Sequence, residues 1–141
     1  MAGTFLFNIP KTGDVVHYPE SRALVSHWDS LCTPQCCELI ERGIKECGRL
    51  GAKTWIVDLT RNPGVPSQAD YEWMGSTGVK LCKKNGVVAV INVHGQSRIS
   101  NMGSKRWSKN ATAGGMSSFD TNSLADALQL AADIAAGRVA A

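Results

Sequence analysis

The sequence of 141 residues lacks a long apolar run and a charged N-terminal leader. Its longest apolar runs, around "WIV" and "GVVAVI", are far too short to cross a bilayer. The N-terminus "MAGTFLFNIPK" has no charged segment before its apolar residues and no extended hydrophobic region, so it does not resemble a signal peptide. These absences predict a cytoplasmic protein that is not bound to a membrane.

A second pair of closely spaced cysteines, as zinc sites usually require, is also missing. The cysteine count of five is odd, which argues against a disulfide framework. On a helical wheel one side collects most of them together with aliphatic residues: Cys36, Cys37, Leu39, Ile40, Ile44, Cys47 and Leu50. Cys82 falls on the apolar stripe of the next helix, and only Cys32 escapes this pattern. Since free cysteine packs as a small hydrophobe, we expect core residues and neither a metal nor a cofactor.

No acidic residue occurs between Glu72 and Asp120. Seven basic residues fall in that interval: Lys80, Lys83, Lys84, Arg98, Lys105, Arg106 and Lys109. Such a surface attracts acidic proteins, anionic ligands or nucleic acid, although charge runs are more often simply solvated. Zinc-finger spacing, an aromatic RNA-binding strand and a basic region with heptads are all absent, so we expect no nucleic-acid partner.

The composition, 43% hydrophobic and 19% charged, is that of a globular chain, and its length suits one domain over residues 1–141. The patterns predict strands at 4–9, 14–18, 22–28, 53–60 and 87–93, and a short one at 114–119. A first helix should follow Thr33 as N-cap and Pro34 as first residue and end near Leu50.

Further helices are expected at 68–84, after Ser97 with Ile99 and Met102 facing inward, and from the region of Asp120 to Gly137. The tail at 138–141 should fray. Strands that alternate with helices after an N-terminal strand group indicate an α/β domain. We expect a mixed sheet in which N-terminal strands precede alternating β-α units.

Three phrases in this order resemble the STAS family, the sulphate-transporter and anti-sigma-factor-antagonist domains: "WIVDLT", "LCKKNGVVAVINV" and "SSFDTNSLADAL". The resemblance covers about Asp14 to Gly137. It implies a STAS-like fold and a regulatory module without enzymatic activity, whose partner is a serine kinase or an anti-sigma factor. It also implies phosphorylation at the start of the helix after the Asp-Leu-Ser strand, where Ser67 aligns with the first serine of an Asp-Ser-Ser-Gly motif. Gln68 replaces the second serine, the one usually phosphorylated, and the aspartate and glycine are absent.

Loops that leave the carboxyl ends of parallel strands gather at one edge of a sheet. That edge should carry Thr60, Arg61, Ser67, His94, Gln96 and Ser97. Two helix N-termini with Arg61 or Arg98 would suit an anion, so a domain that binds a small ligand or anion, such as a nucleotide or lipid, stays an alternative. The simpler interpretation is that Ser67 and Ser97 are ordinary helix caps. A weaker third option is an esterase-like Ser67/His94 site, although no G-x-S-x-G turn surrounds the serine.

Trp73 is the other candidate for partner binding. The wheel places it beside Lys80, opposite the inward stripe of its helix, and an outward tryptophan is a candidate hot spot. Packing against a neighbouring segment is an equal alternative. Partner binding therefore involves these candidates: Thr60, Arg61, Gln68, Trp73, Lys80, His94, Ser97 and Arg98. A homodimer is also open.

Overall fold

A computed structural model describes residues 2–141 as one mixed α/β domain built on a six-stranded sheet. The strands lie side by side in chain order, β1 to β6. The first three pair antiparallel, and β3 to β6 pair parallel. This confirms the predicted fold class. The strands are β1 (Thr4–Ile9), β2 (Gly13–Tyr18), β3 (Ala23–Trp28), β4 (Thr54–Asp58), β5 (Ala89–Val93) and β6 (Ser117–Thr121).

Helices cover the two faces of the sheet unequally. One face packs against α1 (Cys36–Leu50), α2 (Gln68–Trp73), α3 (Val79–Lys84) and α4 (Arg98–Ala113). A π-helical turn at Met74–Gly78 joins α2 to α3, so residues 68–84 form one continuous helical segment. The other face packs against α5 (Leu124–Ala135). No helix within residues 2–141 is long and apolar enough to cross a membrane.

Alternation along the central strands explains why both faces are apolar. In β3 and β4, Leu24 and Trp55 face the larger helical layer, while Val25 and Ile56 face α5. All four are essentially inaccessible to solvent. Strands buried on both faces read as continuous hydrophobic runs, which is the pattern that "WIV" and "GVVAVI" show. Because β3, β4 and β5 run parallel, their carboxyl ends meet at one edge of the sheet.

Two local expectations differ from the structure. Helix α1 begins at Cys36, and Thr33 is not its side-chain cap because its hydroxyl bonds the hydroxyl of Thr12 at 2.7 Å. Ile99 and Met102 are 65% and 68% exposed, so the predicted inward orientation of both is wrong. At the start of the tail, the backbone N–H groups of residues 138 and 139 donate to the carbonyl of Asp133.

Candidate functional site

The loops after β4 and β5 are tied together at the carboxyl edge of the sheet. The N–H of Leu59 donates to the carbonyl of Val93 at 2.9 Å, and the N–H of Ser97 donates to Asn62 Oδ1 at 2.9 Å. Gly95 passes so close that an added Cβ would lie 2.6 Å from the carbonyl oxygen of Leu59. Only glycine fits such a backbone approach. The edge is therefore a fixed platform rather than a set of independent loops.

Ser67 is an exposed hydroxyl on this platform. It is the N-cap of α2, and its Oγ accepts a hydrogen bond from the N–H of Asp70 at 3.1 Å. The buried ring of Pro66 precedes it, which fixes the direction from which the chain enters the helix. Ser67 lies on the rim of a shallow cleft that it shares with Cys32, Thr33, Pro34, Val65, Pro66 and Asp70.

Gln68 connects the start of α2 to helix α4. Its Oε1 accepts a hydrogen bond from the guanidinium of Arg106, which also stacks over the Tyr71 ring at 4.3 Å from the ring centre. Tyr71 itself is buried. A guanidinium over an aromatic face gains cation–π attraction. These contacts make the start of α2 and the middle of α4 one continuous surface.

Thr60 and Arg61 are occupied by partners within the chain. Both the backbone N–H and the hydroxyl of Thr60 donate to Asp58 Oδ1, at 2.9 and 2.6 Å. The Arg61 guanidinium donates to Asp29 at 2.8 Å and lies 3.8 Å from Asp14. Arg61 thus neutralises neighbouring carboxylates, and an anion at this edge would have to compete with them.

His27 and Asp58 form a pair that the sequence reasoning missed. His27 Nδ1 lies 2.6 Å from Asp58 Oδ2, and both side chains are largely buried, with 14% and 7% of their surfaces exposed. Burial by itself raises the pKa of Asp58, but hydrogen bonds from His27 and Thr60 outweigh it, so the pKa lies below its ordinary value. The two residues are partners in the β3–β4 ladder. The signal that could have found them is a histidine and an aspartate near the ends of two adjacent predicted strands.

His94 has a different hydroxyl partner from the expected one. Its Nε2 lies 3.1 Å from Ser104 Oγ and 3.1 Å from Asp120 Oδ1, and no contact joins it to Ser67 among residues 2–141. Ser97 is the N-cap of α4 and accepts from the N–H of Ser100 at 3.2 Å. The structure therefore does not assemble a Ser67/His94 pair.

A small cavity lies beneath α4. It measures about 40 Å³ and is lined mainly by apolar side chains, with Asn92 among the polar ones. Asn92 is fully buried and its Nδ2 donates to Ser108 and Asp120, while its Oδ1 has no partner among the described residues.

Trp73 is half-buried rather than fully outward. It packs against the apolar core below α2 and α3, and its ring is 3.4 Å from where a Cβ on Gly78 would lie. Lys80 and Arg98 are exposed. Of the predicted candidates, Ser67 and Gln68 therefore lie on one surface, while Lys80 and Arg98 are exposed cations without an ion-pair partner in the described part of the chain.

The burial predicted by the helical wheel is confirmed for three cysteines but not for Cys37. Cys36, Cys47 and Cys82 are buried, Cys37 is half-buried and Cys32 is exposed; all five are free thiols. Burial raises the pKa of Cys82 to about 12, and burial together with a hydrogen bond to Asp70 raises that of Cys37 to about 12. Such thiols are protonated and unreactive near neutral pH. Within residues 2–141, no three histidine, cysteine or acidic side chains are grouped so that they could hold a metal ion.

Comparison of the chain with protein-family models, with curated proteins and with solved structures found no significant match.

Proposed function

We propose that this chain is a non-enzymatic regulatory module that binds another protein through the Ser67 surface, meaning the exposed side chains of Ser67, Gln68 and Arg106. In this proposal phosphorylation of Ser67 switches the binding off. The partner is a serine kinase or an anti-sigma factor, as the STAS resemblance implies, and the protein acts in the cytoplasm without nucleic acid or membrane.

The observation that carries the proposal is the state of the Ser67 hydroxyl. It is exposed, it caps the start of a helix, and within residues 2–141 the hydrogen bond to its side-chain oxygen comes from the backbone N–H of Asp70. A kinase can reach such a hydroxyl without unfolding the domain. Phosphate at a helix N-terminus is favoured by the helix dipole, so the modified form can keep the fold.

The switch would act through charge and size. A phosphate adds a charge of about −2 and three acceptor oxygens. The Arg106 guanidinium, already held beside the adjacent Gln68, is a nearby cation, whereas the carboxylate of Asp70 in the same turn is a repulsive neighbour. A partner that fits the unmodified Ser67 surface would meet both new bulk and new negative charge.

Intact mass spectrometry of the protein from its native cells tests the modification. We expect a species heavier by about 80 Da, the mass of a phosphate group, that disappears in Ser67→Ala. Ser97→Ala is the matched control, because Ser97 also caps a helix on the same edge of the sheet. Only unmodified mass under all growth conditions, or a heavier species that survives in Ser67→Ala, would contradict the proposal.

A further inference from the structure

Helix α4 carries apolar and basic side chains together on its solvent side. We call the following residues the α4 outer face: Arg98, Ile99, Met102, Lys105, Arg106 and Lys109, all of them exposed. The opposite side of the helix is buried through Ser100, Ser104, Trp107 and Ala111. Four large hydrophobic side chains are more than a third exposed within residues 2–141, and two of them, Ile99 and Met102, are on this face. Exposed apolar side chains that lie together on a helix mark a candidate interaction site.

The charge of the face is of one sign. Helix α4 contains four basic residues and no acidic one. Residues 73–119 as a whole hold seven of the chain's 15 lysines and arginines and none of its 12 acidic residues. The remainder of the chain therefore has eight basic residues against 12 acidic ones. The molecule thus concentrates its positive charge in the segment that contains the exposed apolar pair.

We infer that the α4 outer face docks an acidic, amphipathic segment of the partner protein. The basic side chains of this face would attract an acidic segment, and Met102 with Ile99, at the N-terminal end of the face, would supply the apolar contact. Successive helical residues are separated by about 100°, so Met102 projects between Lys109 and Arg106, within about 40° of each. Acidic and apolar side chains interleaved on the partner match that pattern.

The arrangement fits a protein segment better than a membrane or a nucleic acid. Helices that lie in a membrane surface separate their apolar side from their cations, whereas here cations and apolar residues are interleaved on one side. A phosphate backbone would use the cations and leave Ile99 and Met102 without a contact. Both alternatives remain measurable outcomes of the experiment below.

This inference rests on the proposed function, because it gives the chemistry of the partner that the Ser67 surface binds. Arg106 belongs to both surfaces, through its hydrogen bond to Gln68 and its place on α4. A phosphate on Ser67 would compete with the acidic partner for Arg106. Phosphorylation of Ser67 and binding of the partner to the α4 outer face would therefore affect each other.

Photo-crosslinking in the native cells tests the inference on the full chain. A benzophenone amino acid is placed at position 102, and at position 45 on the outer side of α1 as a control, since Lys45 is similarly exposed at 62%. We expect position 102 to crosslink one protein, through a segment with more acidic than basic residues. A neutral or basic segment, a lipid or nucleic-acid product, or a yield no higher than at position 45 would overturn the inference.

A third benzophenone probe, at position 68, distinguishes failure of the inference about α4 from failure of the proposed function. If position 68 crosslinks a protein and position 102 does not, the inference about α4 fails while the proposed function stands. If neither position crosslinks a protein, both fail.

The crosslinked segment, synthesised as a peptide, then allows affinity to be measured. Met102→Glu should weaken its binding at least tenfold, whereas Lys45→Glu should change it less than twofold. Thermal melts check that both variants stay folded, as expected for exposed positions. Equal affinities of the two variants would contradict docking on α4.

Discussion

At the scale of single residues, Asp58 has the most demanding environment. Its carboxylate is largely buried and contacts the imidazole of His27 and both donors of Thr60. A hydrogen bond to a charged group contributes about 1.5–3 kcal/mol to the free energy of unfolding. The pair ties the end of β3 to the end of β4, directly beneath the loops that present Ser67.

Asp58→Asn should lower the free energy of unfolding by about 2 kcal/mol at pH 6. Because the pKa of Asp58 is depressed in the folded state, its contribution is present above the ordinary value of 3.8 and is lost as the pH falls through the folded pKa. The difference between wild type and variant should therefore shrink as the pH falls below 3.8. Urea denaturation at pH 6 and pH 3 measures it.

Glu41→Gln is the control, since Glu41 is half-exposed and its ion pair is the i,i+4 pair with Lys45 on the helix surface. Its effect should stay below about 0.5 kcal/mol at both pH values. A constant Asp58→Asn penalty across the acid range would show that the ionised carboxylate is not what stabilises this edge.

At the scale of elements, helix α1 lies unusually close to strand β4. A Cβ on Gly43 would fall 2.3 Å from the Cη2 atom of Trp55, whose side chain is 2% exposed. Buried indole cannot move away without displacing its neighbours in the core. The absence of a side chain at Gly43 therefore allows α1 to pack directly against Trp55 of β4.

Gly43→Ala should destabilise the protein by about 1–3 kcal/mol through overpacking. The sign of this stability change is informative because, without overpacking, alanine stabilises a helix relative to glycine by about 1 kcal/mol. Chemical denaturation measures it, with Lys45→Ala on the solvent side of the same helix as the control. A stabilised Gly43→Ala variant would contradict the close approach of α1 to Trp55.

Helix α4 shows why its orientation could not be predicted from the sequence. The pattern of the sequence predicts Ile99 and Met102 in the core because apolar residues usually face inward. The buried side instead uses Ser100, Ser104 and Trp107, because the helix approaches so closely that a Cβ on Gly103 would lie 2.6 Å from the Tyr71 hydroxyl. Small residues permit that approach, and tertiary contacts of this kind leave no local periodic signal.

At the scale of the whole molecule, alternating strand and helix patterns were sufficient to predict the mixed sheet, its parallel part and most element positions. The candidate site was predictable only in part. The edge residues do gather where parallel strands end, but Arg61 pairs with Asp14 and Asp29, and His94 pairs with Ser104 and Asp120. Which partner satisfies each side chain depends on contacts between distant segments, and spacing along the chain carries no record of them.

The separation of charge also belongs to the whole molecule. The seven basic residues between Glu72 and Asp120 all lie in α3 and α4, while acidic residues outnumber basic ones in the remainder of the chain. A field of this kind steers an acidic partner and makes its association sensitive to salt. The Ser67 surface adjoins the basic part through Arg106.

Affinity capture from native cells, with wild type, Ser67→Asp and Ser123→Asp compared, tests the central claim most directly. Aspartate is a good N-cap, so both variants should keep their helices, and Ser123 caps α5 as Ser67 caps α2. We predict that wild type and Ser123→Asp retain one stoichiometric protein partner and that Ser67→Asp loses it. Capture of the same partner by all three, or of none by wild type, would contradict a switch at Ser67.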